Sequence, residues 1–193
     1  MDISLDTVKV LRDKTGVSIM QCRKALEEAE GDMDKAEVIL KKRSGAAADK
    51  KADRELGAGA IGTYVHDGVV GAMVLLSSET DFVSKNEEFG DLARAIAMHV
   101  AATNPVFLSS DEISEDKKAA AMSIFQEEVK DKPAEMQEKI LEGKMASYFK
   151  DQVLLEQSYI RDDSKTVRDL LNEASQKFGE RVEISKFARF SAR

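Results

Sequence analysis

Few side chains in this chain of 193 residues could carry catalysis or hold a metal ion. The sequence contains two histidines, His66 and His99, and a single cysteine, Cys22. A zinc site needs three or four closely spaced ligands, so this scattered set does not predict one. The sequence contains no phosphate-cradling GxxxxGKS/T loop, no GxSxG motif and no HExxH motif. We therefore expect no cofactor and no covalent chemistry, and an enzyme that uses Asp81 or His99 is kept only as an alternative.

The three candidate side chains have ordinary structural explanations. His99 lies in the apolar helical run IAMHV, where a packed histidine is more common than a catalytic base. Cys22 lies on an apolar helical stripe and behaves there as a small core residue. His66 directly precedes the turn-forming pair Asp67 and Gly68. None of the three therefore indicates a reaction.

Charge and apolar run length exclude several kinds of partner. Lys and Arg number 29 against 36 Asp and Glu, which gives a net charge of −7. Broad binding to nucleic acid needs a basic surplus that displaces counterions, so we predict no nucleic-acid partner. No apolar run approaches the roughly 18–20 residues of a membrane span, which predicts no membrane partner. Because the acidic start lacks the features of a signal peptide and one cysteine fits a reducing compartment, we expect a cytoplasmic location.

The first 43 residues predict a module of three short helices. Ser4 can cap the first helix, SIMQ (18–21) has the form of a capping box, and Asp32 can cap the third helix. An apolar stripe runs along the second helix: Ile19, Cys22, Leu26 and Ala29. Helices this short must bury their stripes against one another, so residues 1–43 predict a compact bundle. The next segment, 44–56, is basic and rich in alanine, which predicts a solvated linker that is helical in part.

The remaining residues, 57–193, predict an α+β core domain. Two strand-like runs, 60–66 and 69–77, flank Asp67 and Gly68, a strong signal for a two-residue hairpin turn. The second run is almost continuously apolar, which predicts an inner strand covered on both faces.

Helices and a further strand complete this predicted core. Residues 114–150 are charged and helical in pattern with a break at Lys132 and Pro133, which predicts a projecting helical hairpin. One apolar stripe marks its first helix: Ala119, Met122, Phe125 and Val129. Ser164 can cap a last helix, and residues 182–190 can pair with the hairpin as a third strand. The predicted fold is therefore α+β, with a small antiparallel three-stranded sheet packed with helices.

The segment TDFV (80–83) follows the second predicted strand and is difficult to explain by structure alone. Thr80 and Asp81 are turn formers, but a large aromatic residue, Phe82, and a β-branched residue, Val83, follow them. Phe82 could fold back onto the core of its own chain. It could also be an aromatic anchor, held at a strand–helix corner for insertion into the pocket of a partner protein. The local sequence leaves both alternatives open.

Motifs in three stretches of the chain carry a family resemblance. LRDKTG (11–16) and CRKAL (22–26) are similar to a ubiquitin-associated-like three-helix module, and TDFV (80–83) matches a diagnostic tetrapeptide. IAMHVAA (96–102) and SKTV (164–167) are similar to a core helix and to a last capped helix. Together these motifs resemble the bacterial translation elongation factor Ts family over nearly the whole chain.

The resemblance implies a guanine-nucleotide exchange factor that promotes release of GDP from elongation factor Tu. Phe82 would enter the nucleotide-binding domain of that partner and displace the elements that order its Mg²⁺ ion. Asp81 would fix the corner and contact the partner, while Thr80 and Val83 shape the corner. The N-terminal module would dock on the same domain through exposed positions near four residues: Lys14, Thr15, Val17 and Met20.

Longer members of the family have two sheet subdomains, whereas this chain has room for one. It resembles the short form, whose members can pair as homodimers, and a contact to domain 3 of elongation factor Tu carries over only if a second protomer supplies it. Two other functions stay open from the residues alone: a general protein-binding adaptor, and a helical exchange cochaperone for a different ATPase. Deleting residues 1–40 would abolish the binding of an adaptor but only weaken exchange.

Overall fold

The computed structural model describes residues 3–130 and 133–192 of the chain. The helices are α1 (Leu5–Thr15), α2 (Ile19–Glu28), α3 (Met33–Asp49), α4 (Asp81–Ser84), α5 (Glu87–Thr103), α6 (Glu115–Val129), α7 (Ala134–Lys150) and α8 (Val167–Phe178). The strands are β1 (Ala58–His66), β2 (Val70–Ser78), β3 (Ser158–Tyr159), β4 (Asp162–Thr166) and β5 (Val182–Ser191). The predicted α+β class, with N-terminal helices before an antiparallel sheet, is confirmed.

Side-chain caps and a small apolar core close the N-terminal bundle. Ser4, Ser18 and Asp32 each accept a hydrogen bond from the backbone N–H three residues later, which satisfies one free donor at each helix start. The buried core consists of Val8, Leu11, Val17, Cys22, Ala25, Leu26, Ala29, Ala36 and Leu40. Cys22 is a core residue, as predicted. Ile19, predicted on the same stripe, is exposed because it is the first residue of α2 and lies at the edge of the bundle.

Helix α3 continues to Asp49, through half of the segment predicted as a linker. Alanines at positions 46–48 favour helix, and the extension also buries a polar residue. Ser44 is 1% exposed, and its hydroxyl donates to the carbonyl oxygen of Leu40 at 3.0 Å. The expectation of a solvated chain is therefore wrong at Ser44, while the division into a module, a linker and a core remains a prediction.

Contacts of α3 and of the turn after it with α8 hold the bundle against the core. The Lys41 ammonium lies 2.8 Å from the Asp169 carboxylate, and Lys51 donates to the carbonyl oxygen of Ser175 at 2.9 Å. Burial raises the pKa of Asp169, but the Lys41 ion pair and hydrogen bonds from Thr166 outweigh it and hold that pKa below its ordinary value. Asp169 thus takes part both in the ion pair between α3 and α8 and in the capping box that starts α8.

The main sheet has the order β1–β2–β5, and both pairings are antiparallel. The predicted hairpin between β1 and β2 is confirmed, with Asp67 and Gly68 at φ values of 49° and 70°. Two successive positive φ values match the twist of a β-hairpin, which explains the strength of the Asp-Gly signal. Helix α5 packs on the inner face of the sheet, and Phe89 and Ile96 of this helix are fully buried.

The prediction that β2 is covered on both faces is wrong. Its inward residues are buried, but Met73 and Leu75 point to the opposite face and are exposed. This outer sheet face also carries Thr63, Lys186 and Ala188, but its large apolar residues are each between 37% and 71% exposed: Ile61, Val65, Met73, Leu75 and Phe190. Because a continuous apolar run signals burial without saying what covers the strand, the sequence alone could not show that no element of the described chain packs there.

Two helix predictions in the second half of the chain also need correction. Ala119 and Met122 are exposed, whereas Ala121 and Val129 are the buried residues of α6, so the apolar stripe is narrower than predicted. Helix α8 is capped by Thr166 instead of Ser164, because Thr166 forms a reciprocal capping box with Asp169 and Ser164 belongs to β4. The predicted break at Lys132 lies outside the described residues, and Pro133 is the residue before α7.

No helix among residues 3–130 and 133–192 combines the length and the apolar character that a membrane crossing requires.

Gly62 allows the closest approach between the sheet and α5. A Cβ atom at Gly62 would lie well inside 3.0 Å of the Ala93 carbonyl group on α5, a distance that real Cβ contacts essentially never reach. Since the obstacle is backbone, no side-chain rotation relieves it. The packing of β1 against α5 therefore depends on the missing side chain.

We expect Gly62→Ala to lower the free energy of unfolding by at least about 2 kcal/mol, because β1 and α5 must separate. Gly90→Ala is the matched control, since a Cβ at Gly90 in α5 meets nothing within 4 Å. That change should leave stability unchanged or raise it by about 0.5–1 kcal/mol. Urea unfolding followed by circular dichroism measures both, and equal stabilities for the two variants would contradict the close approach.

Candidate functional site: an exposed aromatic corner

The segment TDFV forms a rigid corner between β2 and α5. Thr80 is extended, and the following residues make the single helical turn α4. Consecutive residues of a helix point about 100° apart, so one turn directs neighbouring side chains to different surroundings. Val83 is 4% exposed and belongs to the main core, whereas Phe82 is 84% exposed. Of the two alternatives for Phe82, the structure excludes the one in which the ring folds back onto its own core.

Asp81 lies on the solvent side of the same turn. Its carboxylate is 2.7 Å from the Lys85 ammonium, one helical turn further along. This hydrogen-bonded ion pair lowers the pKa of Asp81 and raises the pKa of Lys85. Both side chains are exposed, so Asp81 stays ionised at the surface beside Phe82 and available to a partner.

Thr80 connects the corner to the turn between α8 and β5. Its hydroxyl donates to one oxygen of the Glu180 carboxylate at 2.6 Å, and its backbone N–H donates to the other at 3.0 Å. The Thr80 carbonyl oxygen also accepts a hydrogen bond from Ser78 at 3.0 Å. Sequence reasoning missed Glu180 because it lies a hundred residues away and no local pattern marks it.

The four predicted docking residues of the bundle do not share one environment. Lys14 is exposed and pairs with Glu37 at 2.5 Å, and this pairing raises the pKa of Lys14. Met20 is exposed, whereas Thr15 is half-buried and donates to the bundle backbone. Val17 is part of the bundle core, so the prediction of an exposed position is wrong there.

His99 is sealed inside the core domain. Its Nδ1 accepts the Ile160 N–H at 3.3 Å, which leaves Nε2 to donate to the Gln157 side-chain oxygen at 2.9 Å. Burial lowers the pKa of His99, against a smaller opposing effect of Gln157. The predicted structural role is confirmed by this packing, and the burial of His99 gives no support to a catalytic base.

The other candidate ligands are also accounted for. His66 lies at the exposed end of β1, with Nδ1 3.1 Å from the Tyr64 hydroxyl. Within the described ranges, no group of three or more His, Cys, Asp or Glu side chains is placed to hold a metal ion. The corner instead presents the large aromatic side chain of Phe82 to solvent from an ordered turn, a geometry that suits contact with another protein.

Comparison of the sequence with known proteins identifies the family of the chain. Residues 47–193 match the model of the family described as Elongation factor TS. Elongation factor Ts of Thermotoga petrophila is 44% identical over 191 residues, covering 98% of this chain and 96% of that protein. Those of Thermosipho melanesiensis and Coprothermobacter proteolyticus are 44% and 40% identical and cover 98% and 99% of this chain, which in turn spans 98% of each.

Matches of this extent identify a translation elongation factor. The chain belongs to the elongation factor Ts family, as the motifs in its sequence predicted. The adaptor and cochaperone alternatives gain no support from these relatives.

We expect the free energy of unfolding to fall by about 1 kcal/mol as the pH drops from 7 to about 5.5. The pKa of His99 is below its ordinary value near 6.5 in the folded protein, so the unfolded chain takes up the proton first and acid favours unfolding. Urea unfolding at several pH values measures this slope. His66→Gln should retain it and His99→Gln should lose most of it. An unchanged slope in His99→Gln would contradict a buried, neutral His99.

Proposed function

We propose that the chain is a guanine-nucleotide exchange factor for elongation factor Tu and promotes GDP release during translation elongation. Membership of the elongation factor Ts family supports this function. The observation that carries it is the 84% exposure of Phe82 beside the buried Val83. The protein acts by binding in the cytoplasm, without a covalent step, and its partner is this GTPase and not a nucleic acid or a membrane.

Exchange needs contacts that suit an empty nucleotide site and conflict with an occupied one. Elongation factor Tu holds GDP through backbone donors around the phosphates and through Mg²⁺ that bridges their oxygens. An aromatic ring that enters beside this site displaces the elements that order the ion. Because the coupling of two ligands is reciprocal, nucleotide weakens binding of the factor by the same ratio as the factor weakens binding of nucleotide. A rebound nucleotide therefore releases the factor.

Phe82 suits this wedge role because its backbone is ordered while its ring contacts solvent. The buried Val83 anchors the turn, and the Asp81–Lys85 ion pair spans its exposed side. An anchor that is already ordered loses little conformational entropy when it binds. The ionised Asp81 lies next to the ring and supplies a charged contact to the partner at the rim of the inserted aromatic.

The N-terminal bundle provides a second contact that is tied to the first. The Lys41–Asp169 ion pair holds α3 on the core, and Arg54, which follows α3, donates to Glu79 at 3.0 Å, directly beside Thr80. The bundle and the corner are therefore connected by short polar contacts. Lys14 and Met20 are the exposed docking residues of the bundle, whereas Thr15 and Val17 maintain the packing of the bundle itself.

Phe82→Ala should slow GDP release from elongation factor Tu by about 30-fold or more, since truncating a central aromatic anchor typically costs about 2–4 kcal/mol. Stopped-flow release of a fluorescent GDP analogue measures the rate. Val106→Ala is the control, because Val106 is another exposed apolar residue and lies outside the corner. Wild-type rates with Phe82→Ala would remove Phe82 from this role.

The functional species is a homodimer that pairs through the outer sheet face. Five large apolar residues are exposed there, and contiguous apolar surface of this kind marks an interaction site. Two sheets pack face to face about 10 Å apart with interdigitated side chains, and a second copy presents the same apolar face. Longer family members contain a second sheet subdomain within one chain, and a second copy replaces it here.

Sedimentation equilibrium should give a mass of about twice 21.3 kDa for the wild-type chain. Phe190→Glu places a charge on the outer sheet face and should give the monomer mass, because a buried unpaired carboxylate disfavours association. Val106→Glu adds the same charge outside the outer sheet face and should remain dimeric. A monomeric wild-type protein, or a dimeric Phe190→Glu variant, would overturn the pairing through this face.

A further inference from the structure

We propose that Glu180 is a positioning residue for exchange. It accepts hydrogen bonds from the backbone N–H and the hydroxyl of Thr80 and thereby sets the direction in which the Phe82 side chain leaves the surface. This inference rests on the proposed function and extends it to a residue far away in the sequence. Glu180 is half-buried in the turn between α8 and β5, and both of its carboxylate oxygens accept hydrogen bonds from Thr80.

The position of Thr80 depends on its two hydrogen bonds to Glu180. A threonine that precedes a helix commonly accepts a hydrogen bond from a backbone N–H of the first turn, but Thr80 forms no such side-chain cap. Its hydroxyl instead donates to Glu180, and its own N–H donates to the second carboxylate oxygen. Two hydrogen bonds to the two oxygens of one carboxyl group fix both the position and the rotation of the residue. The usual cap has therefore been exchanged for a tertiary contact.

A second carboxylate makes the reverse connection. Glu79 accepts the backbone N–H of Arg181 at 2.6 Å, and Arg54 donates to the same carboxylate at 3.0 Å. The Arg181 hydrogen bond, followed by the Arg54 contact, holds the pKa of Glu79 below its ordinary value. Each chain segment thus sends a glutamate to the backbone of the other. We call the segments 79–80 and 180–181 the carboxylate clasp.

The residues on either side of Glu180 place it next to the corner. Gly179 ends α8 in the left-handed conformation, with φ at 74°, and turns the chain toward β5. Val182, which follows the clasp, is buried and pairs with Ser78 at the end of β2. Glu180 therefore lies between the end of α8 and a buried, strand-paired residue, so its backbone is held in place and its carboxyl group can position Thr80.

The corner needs such a support because α4 is a single turn. One helical turn has almost no stability of its own, since its nucleation cost is not repaid by further hydrogen bonds. Phe82 is 84% exposed and has few contacts with its own chain, so the backbone of the turn sets the position and direction from which its side chain leaves the surface. A displacement on the order of 1 Å at a reacting or docking group can reduce a rate by about 100-fold. Loosening the clasp should therefore weaken exchange without unfolding the protein.

The test compares four single variants of the full chain in stopped-flow release of a fluorescent GDP analogue from elongation factor Tu. Glu180→Ala removes both acceptors, Glu180→Gln keeps one carbonyl oxygen, and Thr80→Val removes only the hydroxyl donor. Glu173→Ala is the control, because Glu173 on α8 is half-buried like Glu180 but pairs with Lys165 of β4 and not with the corner. Rates are measured at limiting and at saturating factor, and circular dichroism verifies folding.

We expect Glu180→Ala to lower the release rate by about 5- to 30-fold, the ratio that corresponds to 1–2 kcal/mol. Glu180→Gln should retain part of the rate, and Glu173→Ala should match the wild type. Combining Glu180→Ala with Phe82→Ala should add no further loss, because Glu180 acts through that ring. If Glu180→Ala does not fold, Thr80→Val should show a smaller loss that likewise disappears in the Phe82→Ala background.

Three outcomes would overturn the assignment: a wild-type rate for folded Glu180→Ala, a wild-type rate for Thr80→Val where Glu180→Ala does not fold, or an equal fold loss with and without Phe82. A slow Phe82→Ala combined with a wild-type Glu180→Ala would refute the role of Glu180 alone. A wild-type rate for Phe82→Ala would refute the role of Phe82 and, with it, that of Glu180, whereas a wild-type chain that does not accelerate GDP release would refute the proposed function itself.

Discussion

The opposite environments of two adjacent side chains are the constraint on which the proposed exchange activity depends. Val83 enters the core and Phe82 enters solvent within one helical turn. Leaving an aromatic ring exposed forgoes roughly 1.5–3 kcal/mol that its burial would contribute. A partner protein that covers the ring would explain why the chain forgoes this stabilisation at a well-ordered position. In the proposed exchange reaction, that partner is elongation factor Tu.

The rest of the fold keeps this corner in place. Helix α5 continues from the corner into the core, where the Phe89 and Phe178 rings pack edge to face with centroids 5.8 Å apart. Phe178 is the last residue of α8, and the carboxylate clasp follows directly. The long helix α3 and the turn after it then connect the N-terminal bundle to α8. The position of the corner that exposes Phe82 is thus maintained by contacts between elements that are distant in the sequence.

Local signals in the sequence predicted the fold where the structure is governed by local forces. Asp67 and Gly68 predicted the hairpin because only certain residues accept two successive positive φ values. The cap of α8 was misplaced at Ser164, because the choice of Thr166 depends on its reciprocal bonds with Asp169. Residues that act across the chain carry no local mark, so Glu180 could not be found from its neighbours.

The candidate site was predictable in identity but not in geometry. TDFV stood out because an aromatic residue follows two turn formers, yet the sequence could not decide whether Phe82 faces inward. The apolar run in β2 predicted burial on both sides, although Met73 and Leu75 are exposed. Hydrophobic patterning reports a tendency to be covered and cannot distinguish cover by the same chain from cover by a second one.

Fluorine NMR at position 82 tests the central claim most directly. The chain contains no tryptophan, so Phe82→Trp with fluorinated tryptophan gives a single resonance from the corner. We predict that this resonance shows a solvent isotope shift in the free protein and loses it in the complex with nucleotide-free elongation factor Tu, because the ring becomes buried in the partner. A complex that forms while the resonance keeps its full solvent isotope shift would contradict the account.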